Sequence, residues 1–411
     1  MQFSCNFCKA PLTQTFCDLG TSPVSNSFIR PENALAPEPF YPLHVYACTE
    51  CFLVQLPEHK SAGEIFTDDY VYFSSMSESW LAHSKAYCEA MRERFALTSA
   101  ARVVEIASND GYLLQYFAAM GIPVLGIEPS GNVAEVARKK GVDTLVRFFG
   151  VQLATELKQS GTQADLLLGN NVLAHVPDIN DFVGGLAVAL KPEGVITMEF
   201  PHLLRLVDGV QFDTIYHEHF SYLSLTAVQR IFAAHGLVVF DVEELPTHGG
   251  SLRVFAAHRG AARAAVGPRV GQLLSRERAG GLTEVSRFAD FSEKVKETKR
   301  ALLDFLVKAK RDGKKVAAYG AAAKGNTLLN YCGARTDFID FVVDRAASKQ
   351  GRLLPGTRIP VLSLEAVDKA KPDYLLILPW NLREEIVSSM AHIRQWGGAF
   401  VIPIPTVEII P

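Results

Sequence analysis

The sequence predicts an α/β protein in which two doubly wound units with mostly parallel sheets follow an N-terminal zinc-binding module. Three observations carry this. Cys5-Asn6-Phe7-Cys8 and Cys48-Thr49-Glu50-Cys51 form two Cys-x-x-Cys pairs. From Ala101 onward, short apolar runs alternate with helical patterns, and the same rhythm restarts at Lys315. Such alternation builds βαβ units, whose strands lie parallel. At 411 residues the chain is long enough for two or three domains.

Composition narrows the class. An apolar share of 48% and a charged share of 21% suit a globular protein with several cores. The formal net charge is −3 and no long basic run occurs, which argues against a nucleic-acid partner. The longest apolar runs, such as 374–380, have strand length and are too short to span a bilayer. Met1-Gln2-Phe3-Ser4-Cys5 lacks the basic flank and apolar core of a leader, so a cytoplasmic location and no membrane partner are expected.

The module is read as residues 1–75. In a reducing compartment, paired Cys-x-x-Cys elements more often hold a metal than form disulfides. Cys5, Cys8, Cys48 and Cys51 supply the four soft ligands that tetrahedral zinc favours. All four positions are filled by protein, so the zinc is expected to be structural. The long gap between the pairs implies an inserted loop or hairpin, with 44–48 a β-like run.

The first α/β unit is read as 76–260. A helical bridge over 77–95 leads to a strand at 103–106, the turn Ala107-Ser108-Asn109-Asp110-Gly111 and a helix over 112–120. A second strand at 124–127 ends in Glu128, a helix covers 133–140, and further strands fall at 165–168 and 195–200. Ligands of open α/β sheets sit at the carboxyl ends of the strands. Glu128 is placed to accept bonds from two ribose hydroxyls, and the 107–111 turn to admit an adenosyl ligand. That ligand is NAD or S-adenosylmethionine. The Gly-x-Gly-x-x-Gly signature is missing, with only Gly111 present, which favours the phosphate-free S-adenosylmethionine. The bland alternative for Glu128 is a cap on the Pro129-Ser130 turn. Asn170, Asn171 and His175 follow a later strand and point to the same cleft, unless His175 is simply packed.

The run Tyr216-His217-Glu218-His219 places a phenol, two imidazoles and a carboxylate side by side. These groups suit removal of the acidic C–H beside a ketone: a base near neutrality takes the proton and a donor holds the enolate oxygen. A His-x-His metal pair and a polar surface turn are the alternatives.

Residues 261–411 make the third part. A charged, helix-prone connection reaches about residue 312, and strands follow at 316–320, 341–344, 374–378 and 399–402. The loop 321–326 is rich in small residues and opens a helix at 327. Helix N-terminal N–H groups attract anions, and Lys324 adds charge, so Tyr319 to Asn326 is a candidate diphosphate site. A tight packing turn is the alternative. Pro379-Trp380-Asn381, at a later strand end, is placed to wall a nucleotide base.

Together these parts resemble the nucleotide-sugar (dTDP-sugar type) C-methyltransferases, which install branched methyl groups on deoxysugars such as tetronitrose. The resemblance covers nearly the whole length. It rests on the zinc module, the Glu105-to-Gly111 turn, Tyr216-x-Glu218-His219 and the Tyr319-to-Asn326 loop. It implies a central class I methyltransferase domain and a C-terminal Rossmann-like nucleotide-sugar domain, with zinc on Cys5, Cys8, Cys48 and Cys51. S-adenosylmethionine is expected at Glu105, Asn109, Gly111, Glu128 and Asn170. Tyr70 matches an active-site tyrosine, with Tyr72 a near alternative, and His175 an active-site histidine. Tyr216, Glu218 and His219 match the catalytic cluster, and His217 receives no role. The nucleotide-diphosphate sugar is expected against Tyr319, Lys324, Gly325, Asn326, Trp380 and, from the 248–253 segment, Arg253. The implied reaction is C3 methylation of a 4-keto-6-deoxysugar. His219 removes the proton, Glu218 orients a histidine, and Tyr216 and His175 hydrogen-bond the oxygens. C5 methylation, another enolisable acceptor and a non-catalytic zinc-ribbon binding protein are the alternatives.

Overall fold

A computed structural model describes residues 3–65, 73–284 and 287–411. The chain divides into two compact units, each assembled from separated segments. The first takes the chain up to Leu12, Cys48–His202 and Phe220–Thr283; the second takes Thr13–Ala47, Leu203–His219 and Glu284–Pro411. The expected insertion between the cysteine pairs is an antiparallel hairpin, Gln14–Ser22 with Tyr41–Ala47. It has an apolar face to bury, and Phe16 finds its partners far downstream, on the helix Arg287–Arg311. Phe16 stacks on Phe291 at 4.8 Å and meets Phe288 edge-on at 5.2 Å. Aromatic contact of this kind draws the hairpin into the second unit.

The first unit is built on a seven-stranded sheet. Counted along the chain, its strands are Val103–Ile106, Val124–Ile127, Thr144–Leu145, Ala164–Asn170, Leu190–Pro201, Leu237–Leu245 and Ser251–His258. They lie in the order 3-2-1-4-5-7-6, parallel except for the last hairpin, whose Ser251–His258 runs antiparallel to both neighbours. All four residues of Val103–Ile106 are buried, as a central parallel strand requires. The bridge is the helix Glu78–Arg94, capped by Ser77 Oγ accepting from the Trp80 amide at 3.3 Å. Its Trp80, Tyr87, Cys88 and Met91 pack into the same core as Phe117, Leu166 and Phe255.

The second unit carries a six-stranded sheet, counted as Val316–Tyr319, Val342–Val343, Val361–Leu362, Tyr374–Ile377, Ala399–Ile402 and Glu408–Ile410. Their order is 3-2-1-4-5-6, with only the last strand antiparallel. The helical connection is Pro268–Ala279 and Arg287–Arg311. Among the described residues, no helix is long and apolar enough to cross a membrane.

Candidate functional site

The four paired cysteines converge in the first unit. All four Sγ atoms lie within 4.8 Å of one another, with Cys5–Cys51 and Cys8–Cys48 each at 3.5 Å. A tetrahedron with Zn–S bonds of about 2.3 Å has edges of about 3.8 Å, so the donor set and its spacing fit zinc. Each pair is closed by the same backbone pattern. Cys5 N–H donates to Ala10 C=O at 2.8 Å and Lys9 N–H to Cys5 C=O at 3.1 Å. Cys48 N–H donates to Leu53 C=O at 2.9 Å and Phe52 N–H to Cys48 C=O at 3.0 Å. Lys9 and Phe52, each following a pair, both take φ 63°. Gln55 adds an outer donor, its Nε2 lying 3.1 Å from Cys5 Sγ. Such partners tune thiolate ligands.

At the carboxyl edge of the seven-stranded sheet, Glu128 directly follows Val124–Ile127. Its Oε2 accepts from the Asn109 amide at 3.0 Å and its Oε1 from the Ser130 amide at 2.9 Å. The capping alternative is therefore real, and it does not exhaust the group. A carboxylate has about four lone-pair positions, so two remain for a ribose diol. Ala107 and Asn109 are left-handed, φ 54° and 49°, which curls the turn around Glu128. Ser74 N–H donates to Asn109 Oδ1 at 2.8 Å, fastening the chain before the bridge helix onto this turn. Gly111 has a packing role of its own. Its φ is +75°, and a Cβ there would lie 3.1 Å from Val142 and 3.3 Å from Ala137, so the missing side chain is a packing requirement within the unit. Glu105 is fully buried; burial raises its carboxyl well above the ordinary range, Glu128 and Asp110 add to this, and the Tyr112 hydroxyl opposes it. Asn170 closes the strand Ala164–Asn170, with its buried side-chain amide beside the Tyr112 hydroxyl. Spare acceptors on Glu128 at the carboxyl end of its strand fit an adenosyl ligand.

His175 ends the short turn Leu173–His175, half-buried, with its amide closing on Val172 C=O at 2.8 Å. Tyr70 and Tyr72 lie outside the described residues.

The Tyr216–His219 run belongs to the second unit, and its bonds depart from expectation. His219 Nδ1 lies 2.8 Å from Thr214 C=O, and its Nε2 lies 2.9 Å from Tyr216 Oη. A carbonyl accepts only, so Nδ1 carries the hydrogen and Nε2 the lone pair. The Thr214 carbonyl thus orients His219, the task expected of Glu218. Glu218 is instead held by Asn26, whose Nδ2 donates to Oε1 at 2.7 Å across 192 residues. His217 packs away, 3.2 Å from Pro42 C=O and edge-on to Tyr41. Burial pushes Glu218 up to about 7, with Asn26 opposing. A raised carboxyl stabilises the fold below its unfolded value of 4.5, and that contribution is lost as pH climbs through 7. Asp213, raised by burial from 3.8 to about 6, has the same sign. Glu218→Gln is expected to stabilise the protein by about 3 kcal/mol at pH 8 and not at pH 4. Equal denaturant midpoints for the two proteins at pH 8 would exclude this.

Comparison with known proteins decides the family. A methyltransferase domain model matches residues 80–242, a C-methyltransferase C-terminal domain model matches 246–405, and a zinc binding domain model matches 5–66. The C-methyltransferase NovU of Streptomyces niveus is 36% identical over 391 residues, covering 95% of this chain and 93% of that one. The chain belongs to the C-methyltransferase family. Its cofactors are S-adenosylmethionine and zinc, with the four-cysteine cluster fitting the metal. A shorter similarity, 31% over 96 residues, links 23% of the chain to 38% of the ubiquinone biosynthesis O-methyltransferase of Chelativorans sp. (strain BNC1). The PH0226 protein of Pyrococcus horikoshii superposes with a TM-score of 0.38 at 14% identity, covering 48% of this chain and 100% of that one.

In this C-methyltransferase the second unit holds the other candidate residues apart from Arg253. The helix starts at Ala323, earlier than expected, so Lys324, Gly325 and Asn326 form its first turn. Lys324 Nζ donates to Asn381 Oδ1 at 2.8 Å and stands 4.9 Å from the Trp380 ring centroid. Trp380 Nε1 donates to Asp213 Oδ2 at 2.7 Å. Burial lowers the Lys324 ammonium and the Asp213 charge opposes this. Asn326 is 1% exposed, and neither of its amide atoms has a partner among the described residues. Gly325 is a packing glycine: a Cβ there would sit 2.7 Å from Leu378 Cβ. Tyr319 is buried in the sheet core. Arg253, in the first unit, turns inward onto Glu199 at 2.7 Å and Glu243 at 3.1 Å. With 5% exposure it is a core ion-pair residue rather than a substrate contact. Burial alone would raise Glu199; bonds from His83 and the Arg253 charge outweigh it and hold Glu199 at about 2.

Proposed function

We propose that the protein C-methylates a nucleotide-linked 4-keto-6-deoxysugar at C3 by way of an enolate, with His219 as the base. The observation that carries this reading is the fixed tautomer of His219. Thr214 C=O claims Nδ1, and the Nε2 lone pair is kept for a proton, presently that of Tyr216 Oη. A keto group makes the neighbouring C–H acidic enough for an imidazole that titrates near neutrality. Tyr216 Oη, whose proton rotates about the C–O bond, turns from His219 to the keto oxygen as charge develops there, and His175 supports the same charge. The buried Glu218 accepts from a sugar hydroxyl while Asn26 holds it. Glu128, Asn109, Glu105 and Asn170 seat the donor, which supplies an electrophilic methyl when bound. Lys324, Asn326 and Trp380 line the site of the nucleotide-diphosphate sugar, with Lys324 at the diphosphate; Tyr319 contributes backbone at the strand end. Tyr70 remains the proposed tyrosine ahead of the bridge helix.

The test is methyl transfer from S-adenosylmethionine to TDP-, UDP- and GDP-linked 4-keto-6-deoxysugars, with the product carbon assigned by NMR. A new methyl on C3 is expected from at least one. Methylation at oxygen or at C5, or no turnover with the whole panel, contradicts the reading.

A further inference from the structure

The two sheets hold one device twice. Glu128 follows the second strand of its sheet, accepts from the turn after the first strand (Asn109 N–H, 3.0 Å) and from the residue two beyond itself (Ser130 N–H, 2.9 Å). Asp344 follows the second strand of the other sheet. Its Oδ2 accepts from the turn after the first strand (Ala321 N–H, 2.8 Å), and its Oδ1 from the residue two beyond itself (Ala346 N–H, 2.8 Å). Asp344 is 14% exposed at its side chain and keeps two lone-pair positions. Lys349 Nζ stands 3.5 Å away and donates to Ala321 C=O at 2.9 Å, which holds the turn without filling both positions.

The surrounding sequence agrees. Gly320, Ala322 and Gly325 fall on the three glycine positions of the Gly-x-Gly-x-x-Gly fingerprint, and Asp344 follows about 20 residues on, where that fingerprint places the ribose acid. Gly320 makes the tight turn at φ +91°, and Gly325 the close helix–strand packing. Ala322 replaces the glycine that lets a dinucleotide's pyrophosphate touch the backbone; Lys324 offers a side-chain charge instead. The 3-2-1-4-5-6 order puts the switch point between Val316–Tyr319 and Tyr374–Ile377. Lys324 crosses that crevice to Asn381, and the buried, unpartnered amide of Asn326 lies in the same helical turn.

Building on the proposed function, we infer that Asp344 holds the sugar ring of the substrate's nucleoside. The diphosphate then lies at Lys324, and the reacting sugar points toward Trp380. This polarity reverses the expectation that Trp380 walls the base. It also joins the sugar end to the proton-handling run. Trp380 is bonded to Asp213, and Thr327 Oγ1 donates to Ile215 C=O at 2.9 Å, immediately before Tyr216.

Calorimetry on the full zinc-loaded chain tests this with thymidine 5′-monophosphate, its 3′-deoxy analogue and NAD. Asp344→Asn is expected to weaken the monophosphate about 10- to 100-fold, the range of a lost charge-assisted hydrogen bond. S-adenosylhomocysteine binding should not change. Wild-type protein is expected to bind the 3′-deoxy analogue at least about 10-fold more weakly, an outcome that needs no variant to fold. Trp380→Phe is expected to leave the monophosphate within about 2-fold while raising KM for the keto-sugar nucleotide about 10-fold. Equal affinities in Asp344→Asn and wild type, an equal loss of monophosphate affinity in Trp380→Phe, or binding of NAD in preference overturns the inference. A wild-type enzyme that methylates the sugar nucleotide but shows any of these leaves the proposed reaction standing. One that neither methylates nor binds nucleotide sinks both.

Discussion

His219→Ala is expected to lower turnover by about 10³-fold, the middle of the range for a positioned general base. The loss should lie in kcat, because the imidazole acts on a proton that moves only in the transition state. Binding of S-adenosylmethionine should survive, since the residues proposed to seat it, Glu128, Asn109 and Asn170, belong to the other compact unit. The sharper readout is exchange of the C3 hydrogen with D2O in the presence of S-adenosylhomocysteine, which isolates proton removal from methyl transfer. Wild type should exchange and His219→Ala should not. Tyr216→Phe removes the bond to Nε2 and the donor to the enolate oxygen, and should cost about 10²-fold. Because the two side chains share one hydrogen bond of 2.9 Å, the double variant should be little worse than His219→Ala. Exchange at the wild-type rate in His219→Ala assigns the base elsewhere.

Local signals carried most of the fold. Val103–Ile106, Val124–Ile127 and Ala399–Ile402 are short apolar runs between breakers, and they form strands with the boundaries the sequence suggested. The Cys-x-x-Cys pairs declare their metal because ligand spacing is itself local. What stayed hidden are bonds set by tertiary contact. Nothing near Glu218 announces Asn26, 192 residues away, and no side-chain pattern reveals that the Thr214 carbonyl faces Nδ1 of His219. The discontinuous units are of this kind too, since Phe16 is an ordinary strand residue until Phe288 and Phe291 close on it. Asp344 is different. Its distance from Gly325 matches a known fingerprint, and the signal was obscured only because Ala322 stands where a glycine is usual. Arg253 shows the opposite error: a residue type common in ligand sites that burial and ion pairing claim for the core.

Cys48→Ser is expected to abolish stoichiometric zinc and to melt the first unit's N-terminal segment. A structural zinc contributes on the order of 10 kcal/mol in small zinc folds at neutral pH. That is comparable with the whole net stability of a domain, roughly 5–15 kcal/mol. The knuckles here are tied to the methyltransferase sheet's helices. Asn180 Nδ2, on the helix Ile179–Ala189, donates to Asn6 C=O at 3.1 Å and Phe7 C=O at 3.0 Å. Arg230 donates to Glu50 C=O and lies 4.8 Å over the Phe52 ring. Beyond the second knuckle, Val54–Gln55 pairs with Ser221–Tyr222. Loss of zinc therefore releases contacts on two helices and one strand pair, and the thermal midpoint should fall by roughly 10 °C or more. Metal analysis should give one zinc per wild-type chain and a small fraction of that in the variant. A catalytic zinc predicts another pattern, in which turnover vanishes while the melting curve and S-adenosylhomocysteine binding stay as in wild type. With four thiolates within 4.8 Å and no ligand position left open, the expected result is that stability falls first and activity follows it.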